Sequence, residues 1–104
     1  MQGYESGIIE AGGIIINEAA HEITVDGREL CLSPKEYDLL LYLIKNKGVA
    51  LSREKILDQI WGYDYYGDVR TVDTHIKRLR EKMGQKGEFI STVRGSGYKF
   101  EVKT

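Results

Sequence analysis

Residues 70–84 have apolar side chains at helical spacing, and on a helix these side chains form one narrow stripe. The stripe has four members: Val72, Ile76, Leu79 and Met83. The opposite side of the same helix is polar and rich in cations: Thr74, Lys77, Arg78 and Glu81. A helix with so narrow an apolar stripe must lie on a domain surface with its cationic side facing outward.

The charge of the chain is divided unevenly along its length, although the net charge is only −1. Residues 1–69 contain 6 Lys and Arg against 12 Asp and Glu, a net of −6, whereas residues 70–104 contain 9 against 4, a net of +5. A polyanion is attracted to the C-terminal third and repelled by the rest, so this asymmetry favours one orientation of a nucleic-acid partner.

The length and composition fit one globular domain with a modest core, because the chain has 104 residues. No apolar run approaches the roughly 20 residues that a transmembrane helix needs, and we find no signal-peptide pattern. We therefore expect no membrane partner and a location in the bacterial cytoplasm. The single cysteine, Cys31, excludes an internal disulfide and is expected to lie in a sheet as a small hydrophobe.

The N-terminal third is predicted to form a small antiparallel sheet of four strands. Its strand-like runs are residues 8–9, 14–16, 23–25 and 30–32. Asp26-Gly27 separates the last two runs and suits the positive φ angles of a tight type I′ turn.

Two further helices are predicted before the cationic one. The first ends before Gly48 and opens with a capping signal in which a serine cap and a glutamate flank a proline: Ser33, Pro34 and Glu36. The second begins at Ser52 and ends at Trp61.

Two strand-like runs, residues 89–94 and 98–102, follow the third helix and flank the tip Gly95-Ser96-Gly97. Two helices joined by a turn region, the later one cationic, followed by a hairpin, make a winged helix-turn-helix. The predicted fold class is therefore α+β, with an N-terminal four-stranded antiparallel sheet, three helices and a C-terminal β-hairpin wing.

This arrangement favours binding to duplex DNA, because a helix in the major groove needs one apolar face for its own domain and an opposite face of donors and small groups. Arg78 can donate two hydrogen bonds to a guanine edge, and Thr74 can contact thymine or a phosphate. Lys77 and Arg80 can neutralise phosphates, and Arg94 can enter a narrow minor groove. A charged helix face is also commonly just solvated, so the cationic hairpin and the charge asymmetry carry part of this interpretation.

Four sequence blocks resemble the DNA-binding domains of PhoB/OmpR-class response regulators, and they occur in order across residues 8–102. Residues 61–80 resemble the loop and recognition helix of that family, and residues 32–37 its first-helix signature. Residues 52–54 resemble the start of its second helix, and residues 92–100 its wing. The order and spacing of the blocks are more specific than any one short motif.

The resemblance implies that the third helix enters the major groove and the wing the adjacent minor groove. Base-proximal positions fall to four residues: Thr74, Lys77, Arg78 and Arg94. Contacts to the DNA backbone are assigned to five residues: Trp61, Arg70, Thr71, Arg80 and Thr92. His75, on the flank of the third helix, is expected to be a sixth. The loop between the second and third helices, residues 62–69, corresponds to one that contacts RNA polymerase in some members of the family. Its candidate contacts are Tyr63, Asp64, Tyr65, Tyr66 and Asp68.

Two departures from the family pattern bear on function. Thr74 stands where the family more often has valine, which is expected to alter local base preference. A receiver domain normally precedes this domain, so we expect residues 1–6 to be a linker remnant or tag and residues 7–104 to be the winged-helix domain. The resemblance alone implies that DNA binding is controlled by the protein's own receiver domain and by a cognate histidine kinase. It also implies that the isolated domain is a monomer and that two copies bind direct-repeat half-sites of DNA as a dimer.

A second class of function is a winged helix that acts as a protein-interaction module through the aromatic loop, residues 61–69. In that case the cations would be incidental, yet an adaptor has no need for five of them together: Arg70, Lys77, Arg78, Arg80 and Arg94. The tyrosines of the loop suit either a partner surface or packing within the loop. Binding to structured RNA is disfavoured, because the chain lacks an aromatic stacking platform on a sheet.

No enzyme activity, cofactor or metal is expected. His21 and His75 lie far apart without cysteine or carboxylate at ligand spacing, and Gly95-Ser96-Gly97 is too short to cradle a phosphate. Asp73, an acid on the cationic helix, is expected to pair with Lys77 or Arg80.

Overall fold

The N-terminal sheet of the computed structural model, which describes residues 7–63, 65 and 67–103, is antiparallel with the strand order β1-β2-β3-β4. Its strands are β1 (Ile8–Ala11), β2 (Ile14–Asn17), β3 (Glu22–Val25) and β4 (Arg28–Glu29). Because side chains alternate along a strand, β2 buries Ile14 and Ile16 in the core while Ile15 faces outward. The predicted four-stranded sheet is confirmed.

The fourth strand is shorter and earlier than predicted. The turn at Asp26 and Gly27 has positive φ at both residues, 51° and 85°, as a type I′ turn requires. Pairing runs only through Arg28 and Glu29, so the prediction of a strand over residues 30–32 was wrong. Leu30 and Leu32 still reach the core from an extended segment that leads into the first helix. Cys31 lies between them, exposed and outside the sheet, so its predicted place in the sheet was wrong too.

The three predicted helices are present as α1 (Pro34–Lys45), α2 (Arg53–Trp61) and α3 (Arg70–Met83). The capping box of α1 is complete: the Glu36 N–H donates to Ser33 Oγ (3.3 Å), and the Ser33 N–H donates to Glu36 Oε1 (2.9 Å). Ser52 caps α2, since its Oγ accepts from the Lys55 N–H (3.0 Å). None of the described helices has the length and apolar run needed to cross a bilayer.

The core joins the inner face of the sheet to the three helices and to the C-terminal residues Phe89, Ile90, Tyr98 and Phe100. The stripe predicted for α3 is buried, with Val72, Ile76, Leu79 and Met83 each at most 3% exposed. α3 therefore lies on the surface of the domain, anchored along one side.

The C-terminal hairpin, called the wing below, consists of β5 (Ile90–Val93) and β6 (Gly97–Phe100), and its tip is residues 94–96. The predicted bounds, residues 89–94 and 98–102, were wrong at both ends. Phe89 ends a 3₁₀ helix (Gly84–Phe89) that follows α3, where its ring packs edge-to-face on Phe100 with centroids 5.9 Å apart. Residues 101–103 lie beyond the hairpin.

The wing is also attached to the connection between α1 and α2. Leu51 and Tyr98 exchange two backbone hydrogen bonds, of 2.8 and 3.0 Å. This close approach is possible because the neighbouring residue is Gly97, where a Cβ would collide with the Leu51 carbonyl oxygen. The turn of the helix-turn-helix and the wing are thus one backbone-bonded unit.

Candidate nucleic-acid interface

The outward side of α3, called the outer face below, has four exposed side chains: Thr74, Lys77, Arg78 and Glu81. The Thr74 hydroxyl donates to the Arg70 carbonyl (3.1 Å), which uses its one hydrogen and leaves its oxygen lone pairs to accept. Among the described residues, neither Lys77 nor Arg78 takes part in the ion pairs of the domain, which join other residues. Both cations are therefore available to a ligand.

Arg70, at the start of α3, is held by the residue two positions earlier. Asp68 accepts from the Arg70 backbone N–H (3.0 Å) and from its guanidinium at Nε (3.1 Å) and Nη2 (3.0 Å). These hydrogen bonds, the backbone one first, lower the pKa of the Asp68 carboxyl. A phosphate approaching Arg70 has to compete with this exposed carboxylate.

An aromatic group joins the end of α2, the following loop and the first turns of α3. The Trp61 ring meets His75 edge-on, with centroids 4.9 Å apart, and meets Tyr65 at 6.1 Å. His75 Nδ1 lies 2.9 Å from the Thr71 carbonyl oxygen, so Nδ1 carries a hydrogen and donates it. The Tyr65 hydroxyl and Thr71 Oγ1 are 3.4 Å apart. Three of the six residues predicted to contact the DNA backbone, Trp61, Thr71 and His75, thus lie together on one flank.

Arg80 and Thr92, both predicted to contact the DNA backbone, contact each other. Arg80 Nη2 donates to Thr92 Oγ1 (2.9 Å), and Nε donates to the Ile90 carbonyl (3.0 Å). The guanidinium carbon also lies 5.5 Å from the centre of the Tyr98 ring. In the free domain Arg80 therefore bonds α3 to strand β5 of the wing.

Asp73 does not pair with Lys77 or Arg80 as predicted. Its Oδ2 accepts from Arg53 Nη1 (2.8 Å), and its Oδ1 accepts from the Tyr98 hydroxyl (2.6 Å). The prediction was wrong because it considered only neighbours on the same helix, whereas this flank of α3 faces α2 and the wing. The hydrogen bond from Arg53 to Asp73, with the charge of that carboxylate, raises the pKa of Arg53 further.

The tip of the wing is exposed, and part of it faces the start of α2 across a groove. Arg94 is exposed there, between β5 and Gly95, whose φ is 78°. A polar groove of about 300 Å³ runs between the wing and the start of α2, and it is lined by Arg53, Glu54, Asp73, Thr92 and the tip residues among others. The tip and the outer face of α3 are therefore two separate projections of one domain.

Comparison with known proteins places this arrangement in a family. The family model described as "Transcriptional regulatory protein, C terminal" matches residues 27–100. The chain belongs to this family. It is 48% identical over 101 residues to the transcriptional regulatory protein SrrA of Staphylococcus aureus, a match that covers 93% of this chain and 42% of SrrA.

Two solved structures are similar to the domain along almost its whole length. The Klebsiella pneumoniae RstA DNA-binding domain, solved in complex with the RstA box, matches with a TM-score of 0.81 and 32% identity over 90% of this chain and 96% of its own. DrrB of Thermotoga maritima, an OmpR/PhoB homologue, matches with a TM-score of 0.82 and 31% identity over 91% of this chain and 44% of its own. The winged-helix prediction is confirmed, and the domain is an OmpR/PhoB-type DNA-binding output domain. Its family is one of transcription regulators and is not an enzyme class. The domain spans less than half the length of SrrA and DrrB.

Three residues of this OmpR/PhoB-type domain were not predicted as a group: Arg53, Asp73 and Tyr98. One signal for them is visible in the sequence. Asp73 and Arg80 are seven residues apart, hence two helical turns, and so share the flank of α3 that faces the wing. Their partners come from other elements, which spacing along one helix cannot identify.

The loop between α2 and α3 is only partly described. Tyr63 is 90% exposed, Tyr65 is turned toward Trp61, and Asp68 is occupied by Arg70. Asp64 and Tyr66, the other two predicted polymerase contacts, lie outside the described residues. Of the two described tyrosines in this loop, Tyr65 contacts Trp61 and is partly covered, whereas Tyr63 is exposed to solvent.

Proposed function

We propose that this domain binds a specific sequence of duplex DNA, with α3 in the major groove and the tip of the wing in the adjacent minor groove. The observation that carries the proposal is the outer face of α3, where Lys77 and Arg78 are exposed directly opposite a fully anchored apolar stripe. The major groove of B-DNA is about 12 Å wide and admits one α-helix. An anchored helix with free cations on its far side fits that groove.

Four residues are proposed to lie next to the bases. Arg78 has the guanidinium fork that binds both acceptors of a guanine, and Lys77 lies beside it on the outer face. Thr74 presents its methyl group, because its hydroxyl hydrogen is used by the Arg70 carbonyl, and a methyl group suits contact with thymine. Arg94 projects from the tip, where a narrow minor groove would attract its charge.

Six residues are proposed to hold the phosphate backbone: Trp61, Arg70, Thr71, His75, Arg80 and Thr92. For Arg80 and Thr92 the role is shared, because they already join α3 to the wing. For Arg70, DNA binding would exchange one anionic partner, Asp68, for another. Since Nδ1 of His75 donates to Thr71, only Nε2 can reach a phosphate, and it donates a hydrogen only when the ring carries both protons.

The full-length protein is proposed to be a cytoplasmic bacterial transcription regulator. Phosphorylation of a receiver domain by a cognate histidine kinase would bring two of these domains together on direct-repeat half-sites. RNA polymerase is proposed as a further partner of the loop between α2 and α3, where Tyr63 is exposed. The interaction-module alternative is not favoured, because it gives no role to the cations on the outer face and the wing tip.

The salt dependence of DNA binding tests the proposal. Affinity for a duplex should fall linearly on a log–log plot against salt, with a slope of about −0.9 per neutralised phosphate. Lys77→Ala should weaken binding and reduce that slope or relax a base preference, whereas Lys47→Ala, in the turn after α1, should do neither. Binding that is absent, or insensitive to salt and to Lys77, would support the interaction-module alternative instead.

A further inference from the structure

Asp73 uses its two carboxylate oxygens to join three elements. Oδ2 accepts from Arg53, the first residue of α2, and Oδ1 accepts from the Tyr98 hydroxyl on β6 (2.8 and 2.6 Å). Asp73 itself lies in the first turn of α3. One side chain therefore relates the proposed recognition helix to both the preceding helix and the wing.

The Tyr98 end of this contact is rigid. The side chain is only 8% exposed, and the backbone of Tyr98 is bonded in both directions to Leu51. Burial first, and then the hydrogen bond to Asp73 and the charge of its carboxylate, raise the pKa of Tyr98 to about 12. The hydroxyl therefore keeps its hydrogen, and its role as donor, across the physiological range.

A second contact holds the other strand of the wing. Two turns further along the same flank of α3, Arg80 donates to the Ile90 carbonyl and to Thr92 Oγ1, both on β5. Each strand of the wing thus has its own polar attachment to α3, β6 through Asp73 and β5 through Arg80. A two-stranded hairpin alone is marginally stable in water. The wing is held by the core packing of Ile90, Tyr98 and Phe100 and, in addition, by these polar attachments to α3.

The placement of an acid here has an electrostatic cost for a DNA-binding surface, because Asp73 lies on the flank of the helix that carries Lys77 and Arg78. Its charge is compensated by Arg53, with which it forms an ion pair whose side chains are 43% and 34% exposed. A positioning role explains why an acid lies on this flank of α3 and why it is paired with a cation. One carboxylate oxygen of Asp73 accepts from the Tyr98 hydroxyl, and the other accepts from Arg53.

We propose that Asp73, with Arg80, is a positioning residue that sets the offset between the wing tip and the outer face of α3. The Asp73–Tyr98 and Arg80–Thr92 hydrogen bonds hold Arg94 at a fixed distance from Lys77 and Arg78. The outer face of α3 and the wing tip can then contact the major groove and the adjacent minor groove at the same time, in a fixed relative position. The consequence for DNA rests on the proposed function, whereas the geometric claim about the wing does not.

The geometric claim is tested without DNA by measuring a distance between two spin labels. Labels at Ser96→Cys on the tip and Glu81→Cys on α3, in a Cys31→Ser background, report the offset by pulsed electron resonance. Tyr98→Phe, which removes one hydroxyl and keeps the ring, should broaden and displace the distance distribution. Tyr37→Phe is the matched control, because the Tyr37 hydroxyl is buried with no hydrogen-bond partner among the described residues.

If Tyr98→Phe fails to fold, Thr92→Val serves in its place, because it loosens the β5 attachment at an exposed position. A distribution in the tested variant that matches that of Tyr37→Phe would overturn the proposal.

The consequence for DNA is tested by a double-mutant cycle between Tyr98 and Arg94. In the otherwise unsubstituted domain, Tyr98→Phe should weaken binding to the selected site about three- to tenfold, in the lower part of the range for residues that share a network. In an Arg94→Ala background it should weaken binding less than about twofold, because the tip no longer contributes. Equal factors in both backgrounds would overturn the coupling. If the unsubstituted domain selects no DNA site, the proposed function fails and the label distances alone decide the inference.

Discussion

At the scale of single residues, Tyr37 and Tyr98 show how the surroundings decide what a buried hydroxyl contributes. Both side chains are at least nine-tenths buried, but only the Tyr98 hydroxyl has a hydrogen-bond partner among the described residues. A hydrogen bond to a charged group contributes about 1.5–3 kcal/mol, whereas an unpartnered buried hydroxyl costs free energy.

Tyr98→Phe is therefore expected to lower the free energy of unfolding by about 1.5–3 kcal/mol. Tyr37→Phe should leave it unchanged or raise it, because no hydrogen bond is lost. Urea denaturation of both variants at neutral pH checks this difference. Equal losses in the two variants would contradict the assignment of the Asp73–Tyr98 bond.

Arg78 and Arg70 are expected to separate base reading from phosphate contact. Arg78→Ala should cost about 1–3 kcal/mol on the selected site and relax the preference at one base position. Arg70→Ala should weaken binding to all sequences and reduce the salt slope by about one unit. Titrations with the selected site and with single-base variants of it distinguish the two. A uniform loss in Arg78→Ala, or a strong loss of selectivity in Arg70→Ala, would reverse these roles.

At the scale of elements, an ion pair between the buried Glu36 and the partly exposed Lys82 ties the start of α1 to the end of α3. Glu36 is 3% exposed, and its Oε1 accepts from Lys82 Nζ (2.7 Å) as well as from the Ser33 N–H. Burial acts to raise the pKa of Glu36, but the hydrogen bonds from Lys82 and Ser33 and the charge of Lys82 outweigh it and lower the pKa below its ordinary value.

Because the pKa of Glu36 is lower in the folded state, the unfolded state binds more protons in acid. The stabilisation is thus complete above the ordinary glutamate value of about 4.3 and is lost as the pH falls through the folded pKa. Glu36→Gln should cost roughly 1–3 kcal/mol at pH 7 and flatten the loss of stability between neutral pH and pH 3. Unfolding midpoints measured across that range test this, and an unchanged acid slope would contradict it.

Two glycines of the wing are predicted to respond differently to alanine. At Gly97, with φ 135°, a Cβ would collide with the Leu51 carbonyl, so Gly97→Ala should break the link between the wing and the α1–α2 connection. We expect a loss of about 2–4 kcal/mol. At Gly95, with φ 78° and nothing within 4 Å of the added Cβ, only backbone strain of about 1–2 kcal/mol is expected. Thermal unfolding compares the two, and a larger loss at Gly95 would contradict the account.

Features decided by neighbours in sequence were predicted well, and features decided by other elements were not. The capping box at Ser33 and the apolar stripe of α3 depend on spacing along one segment, so the pattern identified them. The place of β4 was missed because Leu30 and Leu32 reach the core from beyond the strand, where only one backbone hydrogen bond to β3 remains, from the Leu30 N–H to the Ile23 carbonyl (2.8 Å). The partners of Asp73 were missed because they come from α2 and β6.

At the scale of the whole molecule, we propose that the domain binds DNA as one rigid body with two projections, the outer face of α3 and the tip of the wing. α3 is anchored by its apolar stripe, and the wing is attached to α3 and to the α1–α2 connection. The acidic N-terminal part and the basic C-terminal part of the sequence favour one orientation toward DNA. The fold and this charge asymmetry were predictable from sequence, whereas the attachments that fix the wing required the structure.

Selection from a random duplex library is the most direct test of the central claim, followed by titration of the winning site and a scrambled control at two salt concentrations. We expect enrichment of a short motif and a preference of about a hundredfold or more for the winning site, which Arg78→Ala reduces. No enriched motif, from either the single domain or two domains joined in tandem, would contradict that claim.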